Sequence, residues 1–284
     1  MILITGANGQ LGYDFQRIFK EKNIDFIATD YKELDITDID AVRGFVKHKN
    51  IALIINCAAY NNVDKAEEEV EMCYKLNAYA PRDLALVAKE IGADYITYST
   101  DFVFDGGKDT PYTEEDIPKP LSIYSEAKAE GERLVLETYA RSFVVRTSWV
   151  FGIANNNFNR QVINWSKSRD VLGIVDDQVS VPTYSYDLAL YSLKLIETKR
   201  YGLYHLSSGG VVSKYDQAKY VLDSIGWKGT LKRAKSSDFI LPAKRAKYSK
   251  LDSSKLEEAI GEKIPFWKNG IDRFLEEMKE KGEL

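Results

Sequence analysis

The chain has 284 residues, with 39 Lys and Arg against 43 Asp and Glu, a formal net charge of −4 and only two histidines. That balance lacks the basic footprint of a general nucleic-acid binder, and 44% hydrophobic with 29% charged residues excludes disordered and fibrous classes. The longest apolar run, Ile51 to Ala59, is interrupted by Asn56 and falls far short of the roughly 20 residues a membrane helix needs, so no membrane partner is expected. The opening Met1-Ile2-Leu3-Ile4-Thr5-Gly6 has no basic leader, and nothing there reads as a signal peptide. The expectation is a cytoplasmic protein, monomeric or homodimeric.

Short β-branched runs alternate with amphipathic stretches through the first half. Strands are predicted at Ile2 to Thr5, Asp25 to Thr29, Ala52 to Asn56, Asp94 to Ser99 and Phe143 to Arg146. Helices are predicted between them at Gln10 to Lys20, Asp38 to Lys49, Asp64 to Ile91 and Ile123 to Tyr139, the third bent near Asn77 to Pro81. Ala52-Leu53-Ile54-Ile55 is continuously apolar, as a strand buried on both faces must be. The expected fold is α/β: a Rossmann-like, doubly wound parallel sheet with right-handed crossovers and a smaller, interleaved substrate-binding lobe.

After Trp149 the texture changes to Gly152, Asn155-Asn156-Asn157 and short mixed elements. Residues 1–150 are read as the dinucleotide-binding domain, with 185–206 returning a helix and a strand to it. Residues 151–184 and 207–284 are read mainly as the substrate lobe. Between Lys228 and Lys250 eight Lys or Arg face one acid, Asp238; this run fits a solvated surface or an electrostatic lure for a diphosphate equally well. Cys57 and Cys73 have no His or Cys partner at metal spacing and read as reduced, partly buried side chains, so no metal ligand is assigned. His48, in a charged run, is placed on the surface, and His205, in an alternating run, in the core.

Gly6-Ala7-Asn8-Gly9-Gln10-Leu11-Gly12 directly follows the first strand and opens the first helix, the context a dinucleotide loop requires. Glycines there permit a tight turn and close approach of the backbone to a pyrophosphate, whose charge meets the free N–H groups of the helix start. Gly12 lets the helix pack against the sheet. Asp30 follows the second strand, where a carboxylate accepts hydrogen bonds from an adenosine ribose and repels a 2′-phosphate. NADH is therefore favoured over NADPH, although Lys32 softens the discrimination. Asp35 and Ile36 are candidates for the adenine pocket, with a helix-approach role for Asp35 equally open.

The fourth strand ends Tyr98-Ser99-Thr100-Asp101 at the carboxyl edge of the sheet, where doubly wound folds place their ligands. Downstream, Tyr124 and Lys128 stand at i and i+4 on one helical face, close enough for the ammonium to draw the phenol down from its usual value near 10. A phenol so tuned can hand a proton to a carbonyl oxygen while a nicotinamide delivers hydride to the carbon. Tyr215 and Lys219 match the same spacing but fall in the second lobe and are read as surface residues.

Four motifs occur in order: the G-x-x-G-x-x-G loop, Asn56-Cys57-Ala58-Ala59, Ser99-Thr100-Asp101 and Tyr124…Lys128. Together they resemble the extended short-chain dehydrogenase/reductases. More narrowly, Val63-Asp64-Lys65-Ala66-Glu67, Ser99 through Gly106, Arg146-Thr147-Ser148-Trp149-Val150 and Val181-Pro182-Thr183 are similar to the family of dTDP-4-dehydrorhamnose reductases. The similarity spans nearly the whole chain, is most specific from Asn56 to Trp149, and weakens from about Asn155. The resemblance implies that Gly9, Gln10 and Leu11 contact the pyrophosphate and that Asp30, Asp35 and Ile36 contact the adenosine end. It implies that Ala58, Ala59 and Tyr60 line the cofactor cleft with Tyr98 nearby. Tyr124 becomes the proton donor, Lys128 tunes it and holds the nicotinamide ribose, Thr100 hydrogen-bonds the sugar carbonyl with Asp101 beside it adjusting the match of proton affinities, and Trp149 packs against the sugar or orients it, although Trp149 fits plain core equally well.

The same scaffold hosts sugar-nucleotide dehydratases and epimerases. A dehydratase resembling this chain carries a carboxylate after the Thr-Asp pair, and here that residue is Phe102. With no base for elimination, net reduction of a 4-keto nucleotide sugar by external NADH is the expected reaction. A reductase of a different 4-keto nucleotide sugar, or a non-catalytic dinucleotide-binding regulatory subunit, remains as an alternative.

Overall fold

The computed structural model describes all 284 residues. Strand β1 (Ile2–Thr5) leads into α1 (Gln10–Glu21), followed by β2 (Phe26–Thr29), α2 (Ile39–Val46) and β3 (Leu53–Asn56). A 3₁₀ turn at Lys65–Glu67 precedes α3 (Val70–Tyr74), a π-helical turn at Lys75–Tyr79 and α4 (Ala80–Ile91). Then come β4 (Asp94–Thr100), α5 (Ile123–Thr138) and β5 (Ser142–Thr147). The bend predicted near Asn77 is that π turn, and Pro81 stands directly after it, in the first turn of α4.

The second half is built of shorter elements. They are β6 (Val150–Phe151), α6 (Phe158–Ser166), β7 (Val171–Val175), β8 (Val179–Ser180), β9 (Thr183–Tyr184) and α7 (Ser185–Thr198). β10 (Gly202–His205), β11 (Val212–Ser213), α8 (Lys214–Ser224), β12 (Thr230–Ala234), α9 (Ser254–Ile260) and α10 (Trp267–Glu280) complete the chain. β10 joins the main sheet beside β5, giving the order β10-β5-β4-β3-β1-β2 with every neighbouring pair parallel. The order reverses between β1 and β3, so a crevice opens at their carboxyl ends, where ligands bind in doubly wound sheets.

Strand alternation divides the core. Leu3 and Ile54 face the side covered by α2, α4 and α5, together with Val42, Leu84 and Val135, while Ile4 and Ile55 face α1 and α7 with Phe15, Phe19 and Leu188. A third cluster, built on Phe151, Val162, Leu172, Val221, Trp267 and Phe274, belongs to the short elements of the second half. His205 is fully buried between Arg146 and the Tyr112 carbonyl, and His48 is exposed, as the sequence suggested. No helix is long and apolar enough to cross a membrane.

Candidate active site

The loop after β1 is shaped by contacts that only glycine allows. Gly6 has φ +66°, and a Cβ on it would meet the Ala58 backbone at 2.5 Å; one on Gly12 would meet the Gly6 carbonyl at 2.5 Å. The loop and the segment after β3 therefore touch backbone to backbone across the crevice. Asn56, fully buried, fixes that approach: its Oδ1 accepts from Thr5 Oγ1 and the Ala58 N–H, and its Nδ2 donates to Thr97 Oγ1. Gly9 caps α1 without a side-chain acceptor, and the first turn holds no acid, so the helix start keeps unpaired N–H groups and a positive dipole end for an anion.

A cleft of about 510 Å³ lies along these segments, a size suited to an extended small-molecule ligand. Gly9, Gln10 and Leu11 line one end, Ala58, Ala59 and Tyr98 the middle, and Thr100, Asp101, Tyr124, Lys128 and Trp149 the other. Eleven residues named from sequence thus converge on one wall-to-wall cavity. Asp30 stands just behind the loop, its Oδ2 accepting the Asn8 N–H at 2.9 Å. Three others are turned to local tasks. The Asp35 carboxylate accepts from the Thr37 N–H and hydroxyl, Ile36 is buried in the core, and the Tyr60 hydroxyl donates to Glu69 at 2.7 Å. Tyr215 and Lys219 lie outside the cleft, Lys219 paired with Asp223.

The cleft-facing side of α5 is set by its own start. Ser122 and Ser125 form a reciprocal capping box, and the Glu67 carboxylate accepts the Ile123 N–H, so Tyr124 is presented from a tightly held first turn. Farther along, Gly131 packs so closely on the π turn that a Cβ would lie 2.1 Å from the Asn77 carbonyl. That contact brings α5 against the helix that follows the cleft-lining segment. Lys128 donates to the Tyr98 carbonyl at 2.6 Å, anchoring the helix to β4.

The electrostatics depart from the sequence expectation. Burial is the largest influence on both groups: it raises the Tyr124 phenol above its usual 10, and it lowers the Lys128 ammonium to about 8. Lys128 directs its charge to the Tyr98 carbonyl, and what draws the phenol back down is the Thr100 hydroxyl. Tyr124 is therefore held as the protonated phenol, the form a proton donor needs.

Asp101 is buried, and burial raises its carboxyl to about 6 against hydrogen bonds donated by Ser249 at 2.5 Å and Ser180 at 3.0 Å. Neither serine was singled out from sequence, because they lie 148 and 79 residues downstream with no motif around them. The asparagine triplet was visible but unassigned. Asn155 Nδ2 donates to the Asn8 carbonyl at 2.7 Å, and Asn157 Nδ2 reaches Gln10, so the second half of the chain clasps the glycine loop. Phe102 lines the cleft edge-on to Tyr124, with ring centroids 6.3 Å apart.

Four of the eight cations between Lys228 and Lys250 are engaged. Arg233 and Lys235 pair with Asp176, Arg245 pairs with Asp64, and Lys250 donates to Ser207 and the Ser208 carbonyl.

The cleft fits a nicotinamide dinucleotide on three grounds. The helix start is bare, the glycine cradle admits no Cβ, and the buried Ser99 and Thr147 hydroxyls that line the cleft have no partner in the chain.

Comparison with known proteins agrees. A family model described as the RmlD substrate binding domain matches residues 1–280. The chain is 38% identical to the dTDP-4-dehydrorhamnose reductase of Aggregatibacter actinomycetemcomitans over 95% of this chain and 96% of that protein. Among solved structures it is similar to a dTDP-4-dehydrorhamnose reductase of Clostridium acetobutylicum, with TM-score 0.95 and 40% identity, covering 98% of this chain and 99% of that one. It is also similar to the Bacillus anthracis enzyme of that name, solved in complex with NADP, with TM-score 0.94 and 37% identity, covering 97% of this chain and 98% of that one. With matches of this identity running end to end over a Rossmann-like sheet, the chain belongs to the dTDP-4-dehydrorhamnose reductase family of NAD(P)H-dependent oxidoreductases.

Proposed function

We propose that this protein reduces the 4-keto group of dTDP-4-dehydro-L-rhamnose to give dTDP-L-rhamnose. The observation that carries this reading is the convergence of a protonated phenol, a hydroxyl and an ammonium on one end of a cleft whose other end is a glycine cradle. The relatives' names supply the substrate.

Gly9, Gln10 and Leu11 would hold the pyrophosphate, Asp30 the adenosine ribose and Lys128 the nicotinamide ribose. A dinucleotide bound there would supply the hydride. The chain's own residues do the rest. Thr100 Oγ1 donates to the ketone oxygen and orients it, Tyr124 Oη delivers the proton to that oxygen as the carbon gains hydride, and Trp149 packs on the sugar. Asp101 Oδ1 lies 3.3 Å from Thr100 Oγ1 and tunes that hydroxyl. Phe102, standing where elimination would need a carboxylate, limits the site to reduction.

For the cofactor we favour NADH, because the Asp30 carboxylate beside the loop repels a 2′-phosphate; the NADP in the Bacillus anthracis relative keeps NADPH as a second donor to test. The experiment offers the purified protein NADH or NADPH with the dTDP-, UDP- and GDP-linked 4-keto sugars. Oxidation with the dTDP sugar is expected. Oxidation with another sugar alone would move the substrate, and tight dinucleotide binding without oxidation would favour a regulatory role.

A further inference from the structure

Behind the sugar end of the cleft lies a cation the proposed reaction does not use. Lys214 is the first residue of α8, directly after the capping residue Ser213, so its positive charge sits at the end of the helix where the dipole disfavours it. Its Nζ has neither a salt-bridge partner nor a hydrogen-bond acceptor in the chain. It rests instead 3.6 Å from the centroid of the Trp149 ring and 4.5 Å from that of Phe158. The carboxylate whose field reaches it is Asp101.

The local fold makes this placement specific. β11 pairs with β8, and the Lys214 N–H donates to the Gln178 carbonyl, so one strand pair delivers Lys214 to the Trp149 ring and Ser180 to Asp101. Trp149 itself has φ +42°, a left-handed conformation that bulky side chains avoid and that persists only where the surroundings impose it. A cation over one face of an indole is attracted by the ring quadrupole and restricts how the ring can turn. The other face is then left for the C–H face of a hexose.

We propose that Lys214 is a positioning residue of the keto-sugar subsite, which holds the Trp149 ring as a fixed wall of the cleft by standing against it. The inference rests on the proposed reading of the cleft as a 4-keto sugar reductase. It places a specificity element outside the Thr100, Tyr124 and Lys128 set, on a helix of the second half of the chain. Lys214 acts through Trp149 and touches neither the reacting carbon nor its oxygen.

The test is steady-state kinetics of wild type, Lys214→Met, Lys214→Arg, Trp149→Leu and the Lys214→Met/Trp149→Leu double variant, with thermal melting alongside. Lys214→Met should raise KM for the dTDP 4-keto sugar about tenfold while kcat stays within about threefold and KM for NADH is unchanged. Lys214→Arg keeps a cation over the ring and should restore most of the KM. In the Trp149→Leu background Lys214→Met should add nothing further, because the ring it holds is gone. Lys214→Met should melt no lower than wild type, since it removes an unpaired cation from a helix start. An unchanged KM, equal damage by Met and Arg, additive effects in the double variant, or a Lys214→Met protein that fails to fold would each overturn the proposal. If wild type itself oxidises no NADH with any 4-keto sugar, the reductase reading falls and this inference with it; if wild type is active and Lys214→Met is indistinguishable from it, only this inference falls.

Discussion

Lys128 Nζ and the Tyr98 carbonyl oxygen are 2.6 Å apart, a hydrogen bond that ties α5 to the strand that ends at Thr100. Burial of the ammonium outweighs that bond and the nearby Glu132 charge, and lowers Lys128 from 10.5 to about 8. The charge is present below that pH and lost above it. Affinity for NADH, read from quenching of protein fluorescence, should therefore weaken as pH rises through about 8. Lys128→Met should bind more weakly at pH 7 and show no such step; a step that persists in the variant assigns it to another group.

Tyr124→Phe removes the donated proton and leaves the ring. Turnover should fall by about 10² or more, the scale of general acid catalysis, with NADH affinity kept within about twofold. A variant at full turnover removes Tyr124 from the chemistry.

Asp30 faces the Asn8 N–H from behind the glycine loop. Asp30→Ala should narrow the preference for NADH over NADPH, measured as the ratio of kcat/KM values, by removing the charge that repels a 2′-phosphate. An unchanged ratio would take Asp30 out of the ribose site.

Asp101 is an acid the fold prefers protonated. Its folded value, about 6, lies above the ordinary 3.8, so its favourable contribution is complete below 3.8 and lost as pH rises through 6. Asp101→Asn keeps an acceptor for Ser180 and Ser249 without the buried charge. The stability of wild type relative to Asp101→Asn, from urea unfolding, should fall by roughly 2 kcal/mol between pH 4.5 and 7.5. A flat difference would show that the serines and Lys214 fully offset the burial of the charge.

The parts of this protein legible in its sequence are those whose determinants are local. The all-buried Leu53–Asn56 strand, the glycine loop opening α1, and Tyr124 with Lys128 on one helical face each depend on residues a few positions apart. Even the return of Gly202–His205 to the sheet was readable, because a short alternating run follows a helical stretch. What was not legible depends on tertiary burial. The serines on Asp101, the asparagines on the loop and the reversal of the Tyr124 shift all come from segments that meet only in the folded chain. Asp35 and Tyr60 show the converse: their positions suit the family pattern, but nearer polar partners, Thr37 and Glu69, engage their side chains.

Net hydride transfer to the sugar can be followed with an isotope. With NADH carrying deuterium at both C4 positions of the nicotinamide and dTDP-4-dehydro-L-rhamnose as substrate, NMR of the product should show deuterium at C4 of the hexose, one equivalent per cofactor oxidised. Deuterium left entirely on the cofactor, or exchange into the sugar without net oxidation, would contradict the account.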